Sequence, residues 1–427
     1  MTIKLGLVGT GTVGGGCIDI LQKHGADFRR HLGVDVELAR VCSLKSDEAE
    51  AHGVGHLFTA DYHDIVNDPD IDIVIELIGG TTVARSVVMD ALVAGKNVVT
   101  ANKALMATHG EEVMAAAEAA GVDLMFGASV GGGIPIIGPL KHSLIANEIL
   151  SVKGIVNGTT NYMLTKMAED GMSYEQALAE AQAAGFAEAD PSADVDGFDA
   201  AAKIAILSSI AFNSRVVMDD VFTSGITAIT TTDLEAAAEM GYAVKLLAIG
   251  HRTPEGIDVR VHPTMIPEDH QLAKVNGVFN AIYVEGDFVG ETMFFGEGAG
   301  AGAAASAVMG DVLEMARHIT QGVAPIVGCT CTDDLPICPI TDLSMKYYIR
   351  FCAADRPGVL AAMAGAFANH GVSVHSMIQR GAGEDGTVSL VYVTHIAREQ
   401  DVRYAIDEIC ALPDTVNGRP SLIRVEE

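Results

Sequence analysis

A short apolar strand that runs straight into a glycine-patterned turn constrains this chain more than any other feature. Ile3 to Val8 is nearly continuous in apolar residues, the pattern of a strand buried on both faces, and Gly9-Thr10-Gly11-Thr12-Val13-Gly14 follows at once. An amphipathic helical pattern then runs from about Val13 to Leu21. In that setting Gly9 permits a tight turn, Gly11 lets the backbone approach a pyrophosphate, and Gly14 lets helix and strand pack closely. The helix N-terminus is left to receive phosphate oxygens. These six residues are therefore expected to cradle a dinucleotide. Strand signals recur at Val36 to Cys42, Ile71 to Leu77, Asn97 to Thr100 and Leu124 to Phe126, with a helix from Thr82 to Ala94. That alternation specifies an α/β fold of Rossmann type, a doubly wound parallel sheet.

The pattern changes at Gly131-Gly-Gly-Ile-Pro135, after which Ile149 to Asn157 reads as a strand emptying into Gly158-Thr-Thr-Asn161. Helices are expected at Ser173 to Ala184 and Asp199 to Ala211, and strands near Asp258 to Pro263 and Ala281 to Val284. Residues 1–130 are thus expected to form the dinucleotide domain, completed by a helix at about 303–320, with an α+β substrate-binding and dimerisation domain at 131–302. Residues 321–346, with Pro325, Pro336 and Pro339, read as a linker. Residues 347–427 follow a βαββαβ order, that of a ferredoxin-like unit.

With 427 residues, 49% of them hydrophobic, the chain can bury more than one core. Its 27 basic and 56 acidic residues give a net charge of −29, which argues against a general affinity for nucleic acid or anionic membrane. No apolar run reaches the roughly 18 residues of a membrane span. The opening residues read as strand and loop rather than as a leader, and seven cysteines do not suggest a disulfide framework, so a cytoplasmic setting is expected. Cys329, Cys331 and Cys338 fit no standard four-ligand zinc spacing and read as free thiols.

Three further stretches carry chemistry. The ribose of a bound dinucleotide is read at the end of the second strand, where an acidic residue favours NAD and a basic one accommodates a 2′-phosphate. That end holds Arg40, Ser43 and Lys45, which favours NADP(H) over NAD(H). Thr100-Ala-Asn-Lys103 follows a strand and opens a helix, where the macrodipole disfavours a cation, so Lys103 is expected to touch cofactor or substrate. Between Gly185 and Lys203 five carboxylates fall within twelve residues: Glu188, Asp190, Asp194, Asp196 and Asp199. One reading is local, with Asp196 as a helix cap and Asp199 with Lys203 as an i,i+4 pair. The other is an acidic pocket for an ammonium-bearing substrate, with Lys203 presented by the helix.

Together these strings resemble homoserine dehydrogenases of the long form. The resemblance rests on Gly9 to Gly14, Thr100 to Leu105, Ala128 to Ile137, Gly154 to Met163 and the block from Gly185 to Lys203, and it spans nearly the whole chain in order. The C-terminal unit, with Asp355-Arg356-Pro-Gly358-Val-Leu, looks like an ACT domain, a module that binds amino-acid effectors. The resemblance implies reversible interconversion of L-aspartate 4-semialdehyde and L-homoserine, in the branch leading to threonine, methionine and isoleucine. It implies Lys203 as proton donor and acceptor with Asp199 beside it, and Lys103 as a contact to the cofactor. Glu188 would bind the substrate ammonium, with Asp194, Asn157, Gly158 and Thr159 around it, and Gly298 would add a cofactor contact. A sodium ion would be held by backbone oxygens of Gly127, Val130, Gly132 and Ile134, although the family commonly has Glu where this chain has Gly127.

Hydride transfer to an aldehyde leaves an oxygen that needs a proton partner, and a lysine serves when its ammonium form is disfavoured. Asp199 alone would work against that, whereas desolvation and a second cation would work for it, so Lys103 and Lys203 are expected to face one pocket. Asp355, Arg356 and Gly358 would hold the effector, with L-threonine as the inhibitor. Side-by-side pairing of such units implies a homodimer or homotetramer. The competing readings are another ACT-linked dehydrogenase and a catalytically silent amino-acid sensor.

Overall fold

The computed structural model describes residues 1–323, 328–381 and 386–426; Pro325 of the expected linker lies outside them. The chain divides into two compact units, one of residues 1–152, 202–221 and 280–335, the other of residues 153–201, 222–279 and 336–427.

The first unit is built on six strands: β1 (Thr2–Val8), β2 (Asp35–Cys42), β3 (Phe58–Thr59), β4 (Ile73–Glu76), β5 (Asn97–Thr100) and β6 (Leu124–Met125). They pair in parallel in the order β3-β2-β1-β4-β5-β6. Such a sheet is covered on both faces, which is why β4 is buried at all four residues. Strand order reverses between β1 and β4, and the carboxyl ends of those strands are where ligands of open α/β sheets bind. The helix after β1 covers Thr12–Leu32, eleven residues beyond the expected end at Leu21, and stops at Gly33 in the left-handed region (φ 75°). Its second half hid its period behind Lys23, His24, Gly25 and Arg29, yet Phe28 and Leu32 pack on the core. Helix Ala301–Gln321 lies against it: a Cβ on Gly16 would come within 2.9 Å of the Ala305 Cβ.

In the second unit Tyr242–Thr253 and Gly256–Pro267 form a long antiparallel hairpin. Only Asp258 to Pro263 of this pair was legible, because the hairpin is buried almost throughout and lacks the polar alternation of a half-exposed strand. The C-terminal strands run Ser421–Val425, Ser344–Ala354, Thr387–Thr394, Val374–Arg380 across the sheet, with helices Val359–Asn369 and Glu399–Ala411 between them in sequence. Tyr347, Phe351, Phe367 and Tyr392 fill their common core. Ser421–Val425 also pairs in parallel with Gly256–Pro267, so this βαββαβ module extends the hairpin's sheet. No helix among the described residues is long and apolar enough to cross a membrane.

Candidate active site

At the carboxyl end of β1 the glycine pattern has the geometry a pyrophosphate requires. Gly9 adopts φ 105°, and a Cβ on Gly14 would lie 2.0 Å from the Gly9 carbonyl oxygen, so neither position admits a side chain. The Cβ position of Gly11 meets nothing within 4 Å, which leaves its backbone open to a ligand. Thr10 is buried and its hydroxyl donates to Glu48 Oε2 at 2.8 Å, while Thr12 and Val13 begin the helix whose N–H groups face this turn. Ser43 and Lys45 follow the end of β2, where a ribose phosphate would be read. Arg40, two residues before that end, lies 3.6 Å from Asp68 in the turn that enters β4.

The exit of β4 is organised by Glu76, which composition and spacing did not single out. Its buried carboxylate accepts from the Ile78 N–H at 2.8 Å, the Gly79 N–H at 3.1 Å and the Thr100 hydroxyl at 2.6 Å. Thr100 in turn accepts from the Asn102 N–H, and Asn102 donates to the Gly80 carbonyl at 2.7 Å while capping helix Lys103–Ala120 through the Leu105 N–H. The loops after β4 and β5 are thereby fixed, and Lys103 is held half-buried at the first position of its helix.

In the second unit the acidic stretch is gathered by one amide. Asn157 Nδ2 donates to Asp194 Oδ1 at 2.7 Å and to Asp199 Oδ2 at 2.9 Å, while its Oδ1 caps helix Gly158–Glu169 by accepting from the Thr160 N–H. Asn157 thereby ties the start of this helix to both carboxylates. The Thr159 hydroxyl likewise donates to the Phe186 carbonyl at 2.6 Å. Gly158 opens the helix behind them. Asp196 ends the short helix Ser192–Val195 instead of capping the next, which begins at Phe198 after Gly197. Asp199 and Lys203 sit one turn apart on helix Phe198–Ala211, and only 9% and 8% of their surfaces are exposed. Glu188 is exposed, with its backbone carbonyl held by Gln182.

The segment from Gly127 to Ile134 folds through two successive left-handed residues, Gly131 (φ 77°) and Gly132 (φ 55°). A Cβ on Gly132 would lie 2.5 Å from the Gly298 carbonyl, so the structure brings these two expected site residues together. Val130 and Ile134 are buried on either side. Asp311 occupies the space beside Gly127: its carboxylate accepts from the Gly127 N–H at 2.7 Å, and burial pushes it up to about 6. Among the described residues no group of three or more His, Cys, Asp or Glu is placed to hold a metal. In the C-terminal module Gly358 is left-handed (φ 94°) at the start of its helix, Asp355 accepts from Gln379, and Arg356 donates to the Pro413 and Asp414 carbonyls.

A doubly wound sheet with this phosphate turn at its switch point, in a chain that also presents a buried lysine after an acidic turn, defines a dinucleotide-dependent dehydrogenase. Comparison with known proteins narrows the class. The NAD-binding domain of homoserine dehydrogenase matches residues 9–127, the homoserine dehydrogenase domain matches 135–313, and an ACT domain matches 347–414. A homoserine dehydrogenase of Synechocystis is 45% identical over 100% of both chains. The crystal structure of a homoserine dehydrogenase from Thiobacillus denitrificans superposes with a TM-score of 0.94 at 42% identity, over 100% of this chain and 99% of that one. A hyperthermophilic archaeal homoserine dehydrogenase in complex with NADPH gives a TM-score of 0.64 at 25% identity, over 77% of this chain and 100% of that one. The chain belongs to the homoserine dehydrogenase family, oxidoreductases acting on a CH–OH group, and carries a C-terminal ACT domain.

Proposed function

We propose that this enzyme interconverts L-aspartate 4-semialdehyde and L-homoserine, uses NADP(H) in preference to NAD(H), and is feedback-inhibited by L-threonine through its ACT domain, in the cytoplasmic synthesis of threonine, methionine and isoleucine. The observation that carries the catalytic assignment is the buried pair on helix Phe198–Ala211, Asp199 and Lys203, with Asp199 held by Asn157. The nicotinamide supplies or accepts the hydride. Lys203 Nζ gives a proton to the aldehyde oxygen in reduction and takes it back in oxidation. Asp199 fixes the helix start from which Lys203 projects, Glu188 and Asp194 attract the substrate ammonium, and Gly158 and Thr159 offer backbone groups to its other end. Lys103 contacts cofactor and substrate together.

Ser43 and Lys45 support the preference for NADP(H), and the archaeal relative solved with NADPH agrees with it. A sodium ion on the oxygens of Gly127, Val130, Gly132 and Ile134 would brace the turn that meets Gly298. Domain limits near 130, 302 and 346 follow the changes of pattern in the sequence. Assembly as a homodimer or homotetramer is supported by the exposed Phe288 and Phe295 on and beside strand Gly290–Glu297.

The experiment is the rate of NADP⁺ reduction with L-homoserine, repeated with NAD⁺ and then with L-threonine added. Homoserine-dependent turnover that is faster with NADP⁺ and suppressed by threonine is the expected result. Equal rates with both cofactors would remove the preference, and full activity at saturating threonine would remove the effector.

A further inference from the structure

Cys329 and Cys331 lie in a segment pinned to its surroundings on both sides. The Cys329 N–H donates to Glu118 at 2.8 Å, the Cys331 thiol donates to the Ser209 carbonyl at 3.7 Å, and the Asp333 N–H donates to the Asn213 carbonyl at 2.8 Å. Both thiols line a small cavity together with Lys141 and Arg215. Lys141 is buried, with its ammonium 5.3 Å from the centre of the Phe126 ring, and the buried Arg215 Nε makes no hydrogen bond among the described residues. Two cations in an apolar wall, facing two half-exposed thiols, make the electropositive and partly open surroundings in which thiolates are stabilised.

We infer that Cys329 and Cys331 form a hydroperoxide-reactive thiol pair, with Cys329 as the attacking thiolate and Cys331 as the resolving thiol. The Cys329 sulfur attacks the terminal oxygen of a hydroperoxide, the O–O bond breaks, and the alkoxide takes up a proton and leaves as an alcohol. Cys331 then attacks the resulting sulfenic sulfur, the S–S bond forms, and hydroxide leaves with the Cys331 proton as water. Two thiols together lose two electrons and the peroxide gains them. Reach is adequate, because alternate residues of even a straight chain place their Cα atoms about 6.6 Å apart, within the roughly 4.4–6.8 Å that a disulfide spans. Ser209 stands on helix Phe198–Ala211, less than two turns after Lys203, so the disulfide would take a hydrogen-bond donor from the helix that carries the proposed proton donor.

The electrostatics agree with this assignment of roles. The proximity of Cys331 holds the Cys329 thiol down to about 6 and Arg215 adds to that, against burial and Glu118, while the neighbouring Cys329 and burial raise Cys331. Burial raises Cys17, Cys42 and Cys410 instead.

The full-length enzyme is alkylated with iodoacetamide at pH 6 and mapped by mass spectrometry. Cys329 is expected to react about tenfold faster than Cys410 or more, since its gain in thiolate fraction exceeds its loss of nucleophilicity. Substoichiometric cumene hydroperoxide is expected to give a 329–331 disulfide. In Cys331→Ser the same treatment should stop at a sulfenic acid on Cys329 that dimedone traps. Alkylation of Cys329 no faster than Cys410, or no 329–331 disulfide in protein that still turns over homoserine, overturns the proposal.

Discussion

Asn157 shows what a single amide does at this site. It satisfies the first turn of a helix and two carboxylates at once, and those carboxylates lie 37 and 42 residues away in sequence. Asn157→Ala removes the cap, at a cost of about 1 kcal/mol, and leaves Asp194 and Asp199 to repel each other without their shared donor. Steady-state kinetics should show KM for homoserine rising several-fold while KM for the cofactor holds. Lys203 is different, because its loss removes the proton partner rather than the geometry. Lys203→Met should lower kcat by about 10²–10⁴ with cofactor affinity unchanged, as read by turnover and by fluorescence titration of the dinucleotide. Unchanged turnover in that variant would end the assignment. The one-turn spacing of Asp199 and Lys203 was legible because both fall within one short string, whereas the bonds from Asn157 to Asp194 and Asp199 were not, because those partners are distant in sequence. Glu76 was missed for the same reason: it reads as the ordinary end of a strand, and only the fold brings Thr100 to it.

Elements were legible where local pattern and tertiary setting agree. Asn97–Thr100 and Val83–Val93 fall within a residue of their expected limits, since each has an undisguised apolar pattern and a clear break at its ends. Burial of charge defeats that reading, as the junction between Ser421–Val425 and Gly256–Pro267 shows. There Arg424 is paired with Glu399, and Arg260 with Asp258 and Glu426, all but Glu426 with side chains less than a tenth exposed. Sequence patterns treat such residues as surface. Burial raises the Glu399 carboxyl but Arg424 overrides it, so the group titrates below the ordinary range. A depressed folded pKa contributes stability at pH above the unfolded value of about 4.3, and that contribution is lost as the pH falls through the folded value. Glu399→Ala strands the buried Arg424 and should cost about 3–5 kcal/mol at neutral pH, shrinking as the pH drops below about 4.3. Urea unfolding at pH 7 and pH 4 measures both; a loss that grows on acidification would contradict the sign.

For the whole molecule, the position of the ACT module decides how regulation can be separated from stability. Its strand Ser421–Val425 pairs with Gly256–Pro267, and Glu426 supplies a carboxylate to the buried Arg260 and to Lys153. Truncation after Leu343 therefore removes the strand that covers one edge of the hairpin and leaves Arg260 without Glu426. An uncovered buried edge is an aggregation site, and an unpaired buried charge is strongly destabilising. The truncated chain is expected to express mainly as aggregate rather than as a desensitised enzyme, and a soluble truncate with full kcat would refute the dependence. A point change at the effector turn should act otherwise. Gly358 is left-handed, and a Cβ there meets nothing within 4 Å, so Gly358→Leu costs backbone strain of about 1–2 kcal/mol without a clash. That strain falls on the turn before helix Val359–Asn369, far in sequence from the sheet junction. Gly358→Leu should thus keep kcat within about twofold and raise the threonine concentration for half-inhibition by tenfold or more, about 1.4 kcal/mol of lost effector binding. Titration of turnover with threonine in wild type and variant decides it. Unaltered inhibition in Gly358→Leu would place the effector elsewhere, and loss of both activity and inhibition would mean that the turn, like the junction strand, holds up the fold.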